Sequence, residues 1–261
     1  MAGKQDMRRK KILDILAWAP ISSPIQLAEI MKVSSETMRK DLDALALEGL
    51  IIKVHGGVAL SNMTASEIPF DLRVTINAEE KKRIAQGALC LIQKNDSVLL
   101  ENCTTNLELA KALALEPELS ETLVVITNSF SIAAVFEGGR RCQKLFFLGG
   151  WVHPAQYSVL GYQTAKMLGD FHVDKAFISG AALSEDLILT GYYDDDVVFQ
   201  KGAIASAKES VLMIDSSKFG KAAILSVAHL SELDYLVTDK VFDKEERKAI
   251  AQTGIKITPL S

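Results

Sequence analysis

The chain is poor in the residues that staple small proteins or bind metal. Its three cysteines, Cys90, Cys103 and Cys142, are odd in number and form no CxxC pair, which argues against a disulfide framework or a thiolate metal knuckle. Its four histidines, His55, His153, His172 and His229, show no close ligand spacing, so no metal site is expected. No apolar run approaches the length of a membrane span. The N-terminal residues are polar and basic, without the apolar core of a secretory leader. These absences point to the reducing cytoplasm, and to a protein that works without a membrane, a metal or another cofactor.

What is present is apolar content: 48% of the 261 residues are hydrophobic, enough for a small head and a larger domain with a full core. The net charge of −4 is unevenly spread. Residues 1–60 hold nine Lys or Arg against seven Asp or Glu, and the remainder 20 against 26. A basic head on an acidic body suits a nucleic-acid-facing N-terminus.

Within the head, Pro24–Met31 places Ile25, Leu27, Ala28, Ile30 and Met31 mostly on one helical face, with Pro24 suited to the first turn. The chain turns at Lys32-Val33. Ser34 is then a good N-cap for a second helix reading SETMRKDL, whose Leu42, Leu45 and Leu47 supply core contacts. Ser35, Glu36, Arg39 and Lys40 fall on the opposite side. A helix start carrying hydroxyls and a guanidinium meets the needs of phosphate and base-edge contact in the DNA major groove. An earlier helix, Met7–Trp18, turns Ile12, Leu13, Ile15 and Leu16 inward and Arg8, Arg9, Lys10 and Lys11 outward, where they could grip phosphates. Beyond the helix stop at Gly49, Leu50–Val54 and Val58–Leu60 read as strands of a small wing joined through His55-Gly56-Gly57.

The segment VSSETMRKDL from Val33 to Leu42, followed by His55-Gly56-Gly57, resembles the DNA-binding signature of the DeoR family of bacterial sugar-metabolism repressors. Met38 and Lys40 depart from the family's usual Ile and Arg, and Lys40 lacks the planar fork that grips guanine or phosphate bidentately. The resemblance implies DNA contacts by Ser34, Ser35, Thr37, Arg39, Lys40 and His55, all within a winged helix-turn-helix over residues 1–60.

Residues 61–78 lose periodicity and read as a linker. From Glu79 to the C-terminus, strand-like runs alternate with helical patterns. The strands are Ser97–Glu101, Leu123–Thr127, Leu145–Leu148, Ala176–Ser179, Val211–Asp215 and Tyr235–Thr238. This alternation predicts an α/β domain over residues 79–261 with a largely parallel sheet. Ligands of such sheets collect beyond the carboxyl ends of the strands. Glu101–Asn106, Thr127–Ser129, Gly149-Gly150, Gly180 and Asp215–Gly220 all follow strands and predict one convergent site.

These segments resemble the DeoR-family sensor domain, which is similar to the ribose-5-phosphate isomerase fold and whose ligands are phosphorylated sugars or related metabolites. By this resemblance Thr104 and Thr105 match a phosphate-cradling loop. Thr127, Asn128 and Ser129 match a Thr-Asn-Ser motif, and Lys218 supplies the cation of Asp-Ser-Ser-Lys-Phe-Gly. Hydroxyls and N–H groups at a helix start hold phosphate, and an ammonium neutralises it. Glu101, Cys103 and Gln200 stand where the family has Asp, Gly and often a basic residue. Glu101 is expected to accept sugar hydroxyls, one methylene further out, and a less phosphorylated or differently shaped effector follows from all three departures. Cys103 near a helix N-terminus also suggests a favoured thiolate, whose oxidation would interfere with the effector.

The sequence therefore predicts a DNA-binding regulator, a repressor of a carbohydrate-utilisation operon. Its partners are operator DNA, a phosphorylated-sugar effector bound by Glu101, Cys103, Thr104, Thr105, Thr127, Asn128, Ser129, Gly149, Gly150 and Lys218, and further copies of itself. The alternatives are a sugar-phosphate isomerase or CoA-transferase-like enzyme, and a protein-interaction adaptor. The enzyme reading lacks catalytic groups: Gly180–Asp186 reads GAALSED, with Glu185 and Asp186 as solvated loop carboxylates.

Overall fold

In a computed structural model, residues 4–18, 21–54, 57–60, 69–137 and 142–260 are described. The chain divides into two units, residues 1–76 and 77–261.

The first unit begins with helix α1 (Lys4–Trp18), strand β1 (Ile21–Ser22), α2 (Pro24–Met31) and α3 (Ser35–Leu47). Ile12, Leu16, Leu27, Ala28, Met38, Leu42, Leu45, Ile51 and Val58 form its core. Ser23 and Gln26 close a capping box at the start of α2, and Gly49, at φ +70°, ends the turn after α3 in a conformation that favours glycine. The wing strands β2 (Ile51–Val54) and β3 (Gly57–Leu60) pair antiparallel, and β1 joins β3 as an unforeseen third strand.

Two expectations fail here, and one segment gains an element. Ile25 and Ile30 are exposed and Leu47 is 91% exposed, because a short helix in a small head buries a narrower stripe than its apolar content suggests. Arg8 and Arg9 are not free to grip phosphate, because both pair with the buried carboxylate of Asp41 on α3. The segment expected as linker contains a helix, α4 (Phe70–Thr75); its residues 61–68 lie outside the described ones.

The second unit opens with α5 (Ala78–Leu89), β4 (Ser97–Leu100), α6 (Thr104–Ala114), α7 (Pro117–Ser120), β5 (Val124–Thr127), α8 (Phe130–Val135) and β6 (Lys144–Phe147). A hairpin of β7 (Trp151–His153) and β8 (Ser158–Leu160) leads to α9 (Tyr162–Leu168), β9 (Val173–Ile178), β10 (Ala182–Leu183), β11 (Ile188–Gly191) and α10 (Asp194–Ala205). The chain ends with β12 (Ala207–Met213), β13 (Leu225–His229), β14 (Tyr235–Val237), α11 (Lys244–Thr253) and β15 (Lys256–Thr258).

Among the described residues, seven strands form one sheet in the order β15-β14-β12-β9-β4-β5-β6, parallel throughout. The central strands are buried on both faces, as crossover helices require. Apolar periodicity located six of these strands to within a few residues. It missed β15, whose KIT has no apolar run, and the small antiparallel sheet β10-β11-β13.

From β4 the chain adds β5 and β6 on one side, then crosses back to lay β9 against the other side of β4. The strand order reverses there. In parallel sheets ligands bind beyond the carboxyl ends of the strands flanking such a reversal, here β4 and β9.

Candidate DNA interface and strand-end site

Ser34 has extended backbone and caps α3, its Oγ accepting from the Thr37 N–H at 3.2 Å. Ser35, Arg39 and Lys40 are exposed on the same helix and Thr37 is half-buried. Arg39 is flanked by carboxylates: its Nε and Nη2 donate to Glu36 at 3.3 and 3.1 Å, and its Nη1 to Asp43 at 3.4 Å. Lys40 lies 3.5 Å from Glu36, and Lys53 of β2 lies 2.5 Å from Asp43. The pairs hold the Glu36 and Asp43 carboxyls below their ordinary range, chiefly through hydrogen bonds from Arg39 and Lys53 respectively. Such exposed pairs contribute little stability, but they fix where the cations sit. Lys53 is the cation the sequence reading missed, since only the fold sets β2 against α3. His55 lies outside the described residues.

Asp41 anchors this surface from behind. Its side chain is 1% exposed and receives Arg8, Arg9 at 3.4 Å and Gln5 at 3.4 Å, all from α1. Burial alone would raise its carboxyl; hydrogen bonds from Arg8, Gln5 and Arg9 outweigh that and hold it below the ordinary value.

In the second unit, Glu101 follows β4 and Ser179 follows β9, at the switch point. Glu101 is buried. Its Oε2 accepts from the Ser179 N–H at 2.7 Å and its Oε1 from Gln200 Nε2 at 2.7 Å. The same Gln200 nitrogen donates to the Ser179 carbonyl at 3.0 Å. Burial pushes the Glu101 carboxyl up to about 8, against these two hydrogen bonds. Both oxygens expected to meet sugar hydroxyls are thus already engaged by protein donors. Lys218, in the turn after β12, donates to the Gly180 carbonyl at 2.7 Å and lies 3.5 Å from Ser179 Oγ. Its charge acts on both Glu101 and Cys103.

Cys103 is the N-cap of α6, its Sγ accepting from the Asn106 N–H at 3.2 Å. The expected thiolate is disfavoured: burial first, and Glu101 second, push the thiol up to about 11. Thr104 and Thr105 occupy the first turn of α6 and are buried.

Thr127, Asn128 and Ser129 spend their side chains on the fold. Thr127 Oγ1 donates to the Leu100 carbonyl at 2.7 Å, and Asn128 accepts from Asn102 N and donates to Val159 O at 2.9 and 3.0 Å. Ser129 caps α8. Gly149 and Gly150 lie beside Thr164, whose Oγ1 donates to the Gly149 carbonyl at 2.8 Å. A Cβ on Gly150 would fall 1.9 Å from Thr164 Oγ1, so glycine is required there by close approach. The contacts therefore gather Glu101, Cys103, Ser179, Gln200 and Lys218 into one cluster, with Thr127–Ser129 bracing the neighbouring loop. Ser179 gives no sequence signal as a donor, because it acts through its backbone N–H. Among the described residues, no helix is long and apolar enough to cross a membrane.

Residues 8–64 match the DeoR-like helix-turn-helix domain and residues 76–240 the DeoR C-terminal sensor domain. The chain is 31% identical to an HTH-type transcriptional regulator of Haemophilus influenzae, over 96% of this chain and 95% of that one. It is 31% identical to the lactose phosphotransferase system repressor of Streptococcus mutans, over 88% and 90%. Ribose 5-phosphate isomerase A of Methanocaldococcus jannaschii aligns over 55% of both chains at 20% identity and a TM-score of 0.40. The family matches and the relatives' names describe a regulator and not an enzyme, and the chain belongs to the DeoR family of DNA-binding transcriptional regulators.

Proposed function

We propose that this regulator represses a carbohydrate-utilisation operon as a homo-oligomer, and that a phosphorylated sugar or related anionic metabolite governs its grip on operator DNA. Ser34, Ser35, Thr37, Arg39, Lys40 and His55 contact the DNA. Phosphate contacts from the hydroxyls and cations position α3, and Arg39 reads base edges. Paired heads on two half-sites supply the specificity that one short helix lacks.

The effector site lies beyond the carboxyl ends of β4 and β9, at Glu101, Cys103, Thr104, Thr105 and Lys218, with Thr127–Ser129 and Gly149-Gly150 shaping the adjoining loops. The observation that carries this reading is Lys218, an ammonium held at the switch point by the Gly180 carbonyl and Ser179 Oγ, with one N–H left for an anion. The similarity to a repressor named for a sugar phosphotransferase system supports the substrate class. A hundredfold change in operator affinity needs only about 2.7 kcal/mol of coupling between the sites.

The test is fluorescence anisotropy of the full-length protein on DNA from upstream of its own gene, at fixed salt, with sugar phosphates and their unphosphorylated counterparts added in turn. The expected result is preferential binding over a scrambled duplex, altered by a phosphorylated compound in wild type. Lys218→Ala should keep the DNA affinity and lose the response. A normal response in that variant would remove the anion assignment.

A further inference from the structure

The outer edge of the seven-stranded sheet is unusually apolar. Strand β6 is terminal, pairing only with β5 among the described residues. An open edge normally carries charge or a bulge to discourage pairing. Here Lys144 is followed by Leu145 and Phe146, both exposed, and by Phe147. Leu145 and Phe146 alternate to opposite faces of the strand, so the edge is apolar on both sides.

The patch continues past the strand. The Phe147 ring packs on Phe130 at 4.8 Å between centroids, and Phe130 N–H donates to the Tyr157 carbonyl at 2.8 Å. Tyr157 leads into β8, which pairs with β7 and carries the exposed Trp151 and Val152 beside it. Four aromatic side chains, Phe130, Phe146, Trp151 and Tyr157, are 40–71% exposed. At ~200 Å² per aromatic side chain they present about 400 Å² of surface. That is about half of the ~800 Å² each partner buries in a standard interface. Leu145, Val152 and the outer backbone edge of β6 supply more.

We propose that this face, β6 with the β7–β8 hairpin, is where a second copy of the chain docks, the two β6 strands running antiparallel across a two-fold axis. The proposal rests on the homo-oligomer reading and gives it a surface. A two-fold makes the contact self-complementary: each strand offers the other the same row of N–H and C=O groups, and Phe146 and Trp151 meet their own counterparts. The occupant is a copy of this chain because an open strand edge pairs with its own equivalent across a two-fold axis, and the exposed aromatic area is of the order one partner contributes to such a contact.

The hairpin is also bonded to the loop after β5. Val159 N donates to Asn128 O at 2.9 Å, and Asn128 Nδ2 donates to Val159 O at 3.0 Å. Asn128 in turn holds Asn102 in the loop after β4. The docking face is therefore wired to the strand ends by hydrogen bonds, and a bound effector that moves the β4 loop would be felt at the contact.

The experiment is sedimentation equilibrium of the full-length protein from nanomolar to micromolar concentration, for wild type, Phe146→Glu, Trp151→Glu and the control Val241→Glu, which lies outside the patch and is 85% exposed. Circular dichroism and thermal melts report whether each variant folds. The expected result is a self-associating wild type and control, and a loss of self-association of about a hundredfold or more in both patch variants with melting unchanged. Two folded patch variants that associate like wild type would overturn the edge assignment alone. A wild type that stays monomeric throughout would overturn the oligomer reading as well. If one patch variant fails to fold, the other decides by the same criterion.

Discussion

Asp41 is the residue whose removal most directly tests how α3, the helix proposed to read DNA, is held. Its carboxylate is buried on α3, and three side chains of α1 converge on it. Removing one partner of a fully buried ion pair costs about 3–5 kcal/mol. Arg8 and Arg9 keep about a fifth of their side-chain surface exposed and can turn to water, so Asp41→Ala is expected to cost less, about 2–3 kcal/mol. At 1.4 kcal/mol per tenfold, amide exchange across α1 and α3 should quicken by roughly 30- to 150-fold where it proceeds by opening of the head. Hydrogen-exchange mass spectrometry of the full-length protein reads this directly, with residues 77–261 as internal control. Acid adds a second readout. Because the folded carboxyl sits below its ordinary value of 3.8, its contribution is present above that pH and is lost as pH falls through the folded value. Wild type should therefore converge on Asp41→Asn in strong acid and exceed it near neutrality. Exchange in Asp41→Ala within threefold of wild type would refute the reasoning and mean that the arginines, not the carboxylate, hold α1 in place.

Other outcomes follow from single contacts. Arg39→Ala should weaken operator binding by about tenfold or more and relax base preference, while Lys40→Ala should weaken all duplexes alike and lower the salt slope by about one; unchanged affinity in both would remove α3 from the interface. Gly150→Ala forces Thr164 off the Gly149 carbonyl and should destabilise the second unit by about 1–3 kcal/mol, roughly 3–10 °C in melting temperature. An unshifted melt would mean that the loop yields freely. For Glu101, whose folded value of about 8 lies above its ordinary 4.5, stability is fully present below the lower value and lost as pH rises towards the upper. Wild type should decline by up to about 1.4 kcal/mol per pH unit in that window. Glu101→Gln should flatten this part of the profile, and a slope equal to wild type would place the titrating group elsewhere.

Local chemistry made much of this molecule legible in its sequence. Ser34 caps α3 because a hydroxyl before an apolar-periodic run has an unpaired N–H within reach. The parallel strands declared themselves because strands covered on both faces need continuous apolar residues. The run Val33–Leu42 with His55-Gly56-Gly57, and the strand-end segments of the second unit, pointed to the family. Three-dimensional placement decided the rest. Nothing local distinguishes Arg8 and Arg9 from Lys10 and Lys11; only the arrival of buried Asp41 opposite them turns two expected phosphate contacts into a structural clamp. Glu101 and Gln200 are 99 positions apart, and neither residue type announces that the reversal of strand order will bury them together and raise the carboxyl. Cys103 reads as a reactive thiol from its place before a helix, yet burial beside Glu101 reverses that sign. The apolar run Leu145–Leu148 reads as a strand of the sheet, and only the sheet order places it at an edge, where the same residues have solvent, or another copy of the chain, to face.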